Sequence, residues 1–162
     1  MRNPQVVIVM GSDSDWPTVS ETAKILKEFK VSFETKVLSA HRTPNETTKY
    51  ACRLDGRGVK VVVAAAGGAA ALAGVIAGHT SLPVIGIPIE TVELKGIDSL
   101  LSTVQMPPGV PVATVGIGKS GAKNAAFLAM KILALNNKNL RNRLIAYKKN
   151  QAKKIVNIKL PS

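Results

Sequence analysis

Short apolar runs alternate along the chain with segments of helical period. Gln5 to Met10 (QVVIVM), Lys60 to Ala65 (KVVVAA) and Val84 to Pro88 (VIGIP) are nearly continuous runs, typical of strands covered on both faces. Val31 to Leu38 and Val112 to Ile117 read as two further strands. Trp16-Pro17 opens a helix with Val19, Ala23, Leu26 and Phe29 on one face. Thr43-Pro44-Asn45-Glu46 opens another with capping-box spacing, Thr43 at the N-cap, Pro44 in the first helical position and Glu46 reaching back. That helix should end near Asp55-Gly56-Arg57-Gly58. A linker from Ile89 to Lys95 precedes a short helix over Gly96–Leu101, and Ser102 to Gly109 reads as irregular. An Ala-rich helix opens at Gly121-Ala122-Lys123-Asn124 and closes near Leu135.

Strands alternating with helices at this spacing imply βαβ units and a parallel sheet. The expected fold class is therefore α/β, a three-layer sandwich of flavodoxin-like type, with residues 1–162 in one domain. In such sheets ligands meet the carboxyl ends of the strands, where helix N-termini attract phosphate. Three small or polar turns fall on that rim. Gly11-Ser12-Asp13-Ser14-Asp15 follows the first strand; its N–H groups and serines suit a phosphate, and Asp15 suits ribose hydroxyls or a helix cap. Ser39-Ala40-His41-Arg42 follows the second, setting an imidazole able to move a proton beside a guanidinium able to hold an oxyanion. Ala66-Gly67-Gly68-Ala69-Ala70-Ala71-Leu72-Ala73-Gly74 follows the third, letting backbone approach a ligand closely or a helix pack tightly on the sheet.

Composition narrows the function. There is no GxxxxGK[ST] sequence, no Gly-x-Gly-x-x-Gly after the first strand and no nucleophile elbow. Two His and one Cys, far apart, offer no metal-ligand spacing. Cofactor-free proton transfer on a phosphorylated small molecule remains, with His41 the best-placed acid or base. His79 reads as a residue at a helix C-terminus. Apolar stretches broken by Gly and Pro argue against a membrane span, and the start Met1-Arg2-Asn3-Pro4 shows no apolar leader. The lone Cys52 excludes an internal disulfide and fits a reducing cytoplasm. The formal charge of +12 is concentrated toward the end: residues 135–162 read as a basic C-terminal helix and tail. Leu140, Leu144, Tyr147 and Ile155 give that helix an apolar side suited to a neighbouring subunit. No zinc-finger spacing or aromatic signature points to nucleic acid.

Gly11-Ser12-Asp13-Ser14-Asp15-Trp16, Ser39-Ala40-His41-Arg42-Thr43-Pro44, Ala66-Gly67-Gly68-Ala69-Ala70, Asp98-Ser99-Leu100-Leu101-Ser102 with Gln105-Met106-Pro107, and Lys123-Asn124-Ala125-Ala126 follow one another in order. Together they resemble the class I 5-(carboxyamino)imidazole ribonucleotide mutases of purine biosynthesis. The resemblance implies a homo-octamer with no metal or organic cofactor. It implies transfer of a carboxylate from an exocyclic nitrogen to a ring carbon through trapped carbon dioxide, with His41 as the catalytic proton shuttle. Ser12, Asp15, Ser39, Arg42, Gly67, Gly68, Ala69, Ala70 and Leu72 would bind substrate, the Gly67–Ala70 backbone walling the carbon dioxide pocket. The third loop departs from the family: Ala71 and Ala73 stand where class I members normally carry His and Pro. A direct carboxylase (a lyase running toward carboxylation) and a weakened nucleotide-binding homologue are the alternatives, while Arg42 and Gly67-Gly68 keep the chain with class I.

Overall fold

The computed structural model describes residues 3–159; Met1-Arg2 at the expected leaderless start and residues 160–162 of the expected tail lie outside the described residues. Five strands form one sheet: β1 (Val6–Met10), β2 (Phe33–Val37), β3 (Val61–Ala66), β4 (Val84–Pro88) and β5 (Ala113–Thr114). Their order is β2-β1-β3-β4-β5 and every pairing is parallel. The helices are α1 (Trp16–Glu28), α2 (Pro44–Ala51), α3 (Leu72–Ala77), α4 (Ile97–Val104), α5 (Gly118–Ala134) and α6 (Lys138–Val156). The α/β, flavodoxin-like reading of the sequence is borne out.

The apolar runs follow from burial on both faces. Val6, Ile8 and Met10 of β1 point into a core shared with α1, α5 and α6, while Val7 and Val9 point into a second core with α2 and α3. Strand β2, at the edge, keeps polar Glu34 and Lys36. Glu34 accepts hydrogen bonds from Tyr50 and Arg57, and the Arg57 guanidinium holds its carboxyl below the usual range. On the α1 face, Thr22 Oγ1 donates to the Ala122 carbonyl at 2.7 Å, tying α1 to α5 through a buried bond.

Several boundaries differ from the sequence reading for local reasons. Glu46 does not close a capping box: the Thr43 side chain caps nothing, because its Oγ1 accepts from the Ser39 N–H and donates to the Ser39 carbonyl. Helix α2 stops at Ala51, and a separate 3-10 turn, Asp55–Arg57, leads to Gly58 at φ 76°. Helix α4 runs on to Val104, and α5 begins three residues early, at Gly118. Only Ala113 and Thr114 of the expected last strand are in register with β4; Pro111 brings no N–H, and the chain bends at Ile117. Within α6, Leu140, Leu144 and Tyr147 pack on the chain's own core rather than facing a neighbour, while Ile155 stays exposed. Tyr147 completes an aromatic cluster, edge-on to Phe29 and tilted against Phe127, and Arg143 donates to the Phe29 carbonyl at 2.6 Å.

Helix α4 sits close to β4 because Gly86 leaves room for it. A Cβ there would lie 2.4 Å from Thr103 Cγ2 and 2.9 Å from Val112 Cγ1. Thr103 cannot swing away, being β-branched and hydrogen-bonded to the Ser99 carbonyl at 2.7 Å. Gly86→Ala should therefore destabilise the fold by roughly 1–3 kcal/mol, as overpacking does. A denaturant midpoint unchanged from the parent chain would contradict this packing.

Candidate active site

The sheet order reverses direction at β1, whose chain leads to β2 on one side while β3 lies on the other. Ligand crevices form at such switch points. A cleft of about 340 Å³ opens there, between the turns that follow β1, β2 and β3.

The first turn is rigid because it caps itself. Ser12 is the N-cap of a short 3-10 helix, Asp13–Asp15; its Oγ accepts from the Ser14 N–H, and Asp15 Oδ2 accepts from the Ser12 N–H at 3.1 Å. The Asp15 side chain thus does not cap α1, to which it makes no hydrogen bond; it closes the 3-10 turn before that helix and lines the cleft. Burial pushes its carboxyl above the usual range, opposed by the Ser12 N–H and the Arg42 charge. Trp16, the first residue of α1, stands 43% exposed beside it.

The second turn is built on Ser39. Its carbonyl accepts from the Thr43 N–H, from Thr43 Oγ1 and from the buried Thr47 Oγ1. Its own Oγ accepts from the Arg42 N–H at 3.1 Å and from Arg42 Nε at 3.3 Å. Arg42 Nη2 then reaches the Gly11 carbonyl at 2.7 Å, so one guanidinium joins the first turn to the second. Nη1 makes no protein hydrogen bond among the described residues and is free for an oxyanion. His41 lines the cleft beside Arg42, with its side chain exposed.

The third wall consists of Ala66, Gly67, Ala70, Ala71 and Leu72. Gly68 and Ala69 do not line the cleft. Gly68, at φ 64°, instead donates its N–H to Ser99 Oγ of α4 at 3.0 Å, and its carbonyl accepts from Ser102 Oγ at 3.3 Å. Ser99 is buried and donates its hydroxyl hydrogen bond to the Ile89 carbonyl at 2.7 Å. Ala71 is the N-cap of α3 without a side-chain cap, and Ala73, in the first turn of that helix, is buried. His79 lies exposed just past the end of α3, as expected.

The structure thus gathers Ser12, Asp15, Ser39, His41, Arg42, Gly67, Ala70 and Leu72 in one cleft and leaves out Gly68 and Ala69. Ser99 and Ser102 stand in a motif of the sequence without a role as supports of the site, and Thr47 is not singled out; the apolar period of Ile97, Leu101 and Val104 places the α4 hydroxyls on the opposite side from the expected core.

The chain is similar to several proteins along most of its length. The sequence model of the family described as AIR carboxylase matches residues 5–154. An N5-carboxyaminoimidazole ribonucleotide mutase of Pyrococcus abyssi is 54% identical over 90% of this chain and 82% of its own length. That of Saccharolobus solfataricus is 48% identical over 97% of this chain and 98% of its own length. The crystal structure of Treponema denticola PurE superposes with a TM-score of 0.86 at 29% identity, covering 94% of each chain.

The Asp15 carboxyl gives a test of the cleft's electrostatics. Because burial raises its folded-state pKa above the ordinary 3.8, the group favours folding in acid, and that contribution is lost as pH rises through the folded value. At neutral pH its buried charge opposes folding. Asp15→Asn keeps an acceptor for the Ser12 N–H and should melt higher than the parent at pH 7, with the gain vanishing in acid. A lower melting temperature at pH 7 would show that attraction to Arg42 outweighs burial.

Proposed function

The chain belongs to the AIR carboxylase family, and on that premise we infer that its cleft carries out the N5-carboxyaminoimidazole ribonucleotide mutase reaction of purine biosynthesis. The activity is that of an isomerase, moving a carboxylate within one phosphorylated ribonucleotide. The observation that best supports residue roles is the meeting of His41, Arg42 and Asp15 across from a wall of small apolar residues.

In our reading, Arg42 holds the substrate phosphate. Its anchors at Ser39 and Gly11 fix the guanidinium before the ligand arrives, which lowers the ordering cost of binding. Ser12 and Ser39 supply hydroxyls to the same phosphate, and Asp15 accepts from the ribose. The reaction begins with cleavage of the nitrogen–carboxylate bond, and the freed nitrogen takes a proton from His41. Carbon dioxide stays against Gly67, Ala70 and Leu72, a surface that offers it no competing charge. The ring carbon then attacks the carbon dioxide, and His41 recovers the proton which that carbon releases. Protons balance over the cycle, so no cofactor is called for.

We further propose a homo-octamer acting in the cytoplasm, without nucleic-acid or membrane partners. No helix among the described residues is long and apolar enough to cross a membrane. The one observation favouring a second reading, direct carboxylation by free carbon dioxide, is Ala71 on the cleft wall where class I members normally carry His.

Conversion of the carboxyamino ribonucleotide to the 4-carboxy product, followed by absorbance without bicarbonate, separates the readings. The unmodified chain should turn over, showing that Ala71 suffices; product formed only from aminoimidazole ribonucleotide plus bicarbonate would favour the carboxylase. Silence in both assays, with activity restored by Ala71→His, would mean a disabled loop. His41→Asn should lower kcat by about 10²–10⁴-fold with ligand affinity retained, as for loss of a general acid–base. Arg42→Ala should weaken binding roughly 10–100-fold, as for loss of a hydrogen bond to a charged group. Equal losses of rate and affinity in His41→Asn would remove His41 from the proton-shuttle role.

A further inference from the structure

The third wall of the cleft hangs from few points. Between the end of β3 and the start of α3, residues 67–71 belong to no helix or strand. At the strand end, the Ile89 N–H donates to the Ala66 carbonyl at 3.0 Å. Beyond that, the hydrogen bonds of residues 67–70 among the described residues all pass through Gly68 and end on α4. Packing adds little. Gly68 stands at φ 64° with open space where a side chain would be, and Ala69 is exposed. Loops of this kind move unless they are tied.

The two α4 hydroxyls do not tie it equally. Ser99 is fully buried and its Oγ is fully used, accepting from the Gly68 N–H at 3.0 Å and donating to the Ile89 carbonyl at 2.7 Å. It thereby joins the loop after β3 to the segment after β4, where Gly67 also rests: a Cβ on Gly67 would lie 3.6 Å from Ile89 Cβ. Ser102 is exposed, and its single hydroxyl proton is divided between the Asp98 carbonyl at 2.8 Å and the Gly68 carbonyl at 3.3 Å. Ser99 is the firm tether.

We propose that Ser99 is a positioning residue of the reaction: by fixing Gly68 it keeps the Gly67–Ala70 backbone closed over carbon dioxide between release and recapture. The inference rests on the mutase reading above. Ser99 does not line the cleft and acts only through the loop. An open loop lets carbon dioxide diffuse away once the nitrogen–carboxylate bond has broken. The ring is then left as aminoimidazole ribonucleotide, its nitrogen carrying the proton that His41 gave, and the imidazole regains a proton from water. Arg42 is anchored on the other two turns, so affinity is spared. The fault falls on the partition between transfer and escape.

Turnover of carboxyamino ribonucleotide with an isotopically labelled carboxylate, in unlabelled bicarbonate, reads that partition. Mass spectrometry of the 4-carboxy product, beside an enzyme-free reaction, gives the label retained. The parent chain should keep its label. Ser99→Ala should raise label loss about tenfold with KM unchanged, the factor that corresponds to one unmade buried hydrogen bond. Amide hydrogen exchange checks the tether itself: the Gly67–Ala70 segment should exchange faster in Ser99→Ala, and the strands at the parent rate. A variant that loses rate but keeps its label is merely destabilised, and overturns the proposal. Faster exchange with the label retained overturns it too, since the loop then opens without releasing anything. If Ser99→Ala does not fold, Ser102→Ala on the exposed side decides: label loss above the parent value supports the proposal, and parent-level retention overturns it. A parent chain that forms no product, or forms it with the label lost, overturns the mutase reading and this inference with it.

Discussion

A parallel sheet covered by helices on both faces leaves a ligand only one way in, along the ends of its strands. Here that constraint acts with unusual force, because nearly every residue of β1, β3 and β4 is buried. Chemistry must then be carried by turns, and turns are mobile unless something ties them. The chain answers with hydroxyls and one guanidinium. Ser12 closes the first turn on itself, Ser39 gathers Thr43, Thr47 and Arg42 around the second, and Ser99 holds the third from outside. Arg42 is the cross-link: by donating to Gly11 and Ser39 together it makes two independent loops into one surface.

Much of this was legible in the sequence, for a physical reason. Two-sided burial writes uninterrupted apolar runs, so β1, β3 and β4 could be placed nearly to the residue. Edge strand β2 and the two-residue β5 were harder, since each owes its length to its neighbour rather than to its own composition. The His41–Arg42 pair was visible because its residue types are costly to place at a turn without purpose. What could not be read was allegiance. Thr43 has the spacing of a helix cap but turns back to Ser39, and Gly68 looks like open backbone yet spends its N–H on Ser99. Such choices depend on which groups the fold brings near, and spacing along the chain does not record that.

The same distinction explains α4. Read by periodicity, Ile97, Leu101 and Val104 are the natural inner face of a helix. The fold instead turns the helix over: Gly86 admits Thr103, and Ser99 bonds the Gly68 N–H and the Ile89 carbonyl. One residue without a side chain on β4 thereby decides which side of a neighbouring helix meets the core, and which is left outward.

Trp16 is the chain's single tryptophan, and it stands half in water next to Asp15, at the head of the helix that the first turn opens. Its indole emission therefore originates from one place only, the head of α1, one residue past the Asp15 that lines the cleft and facing the edge strand β2. The molecule carries its own optical gauge of the first turn, with no dye attached and no second indole in the chain.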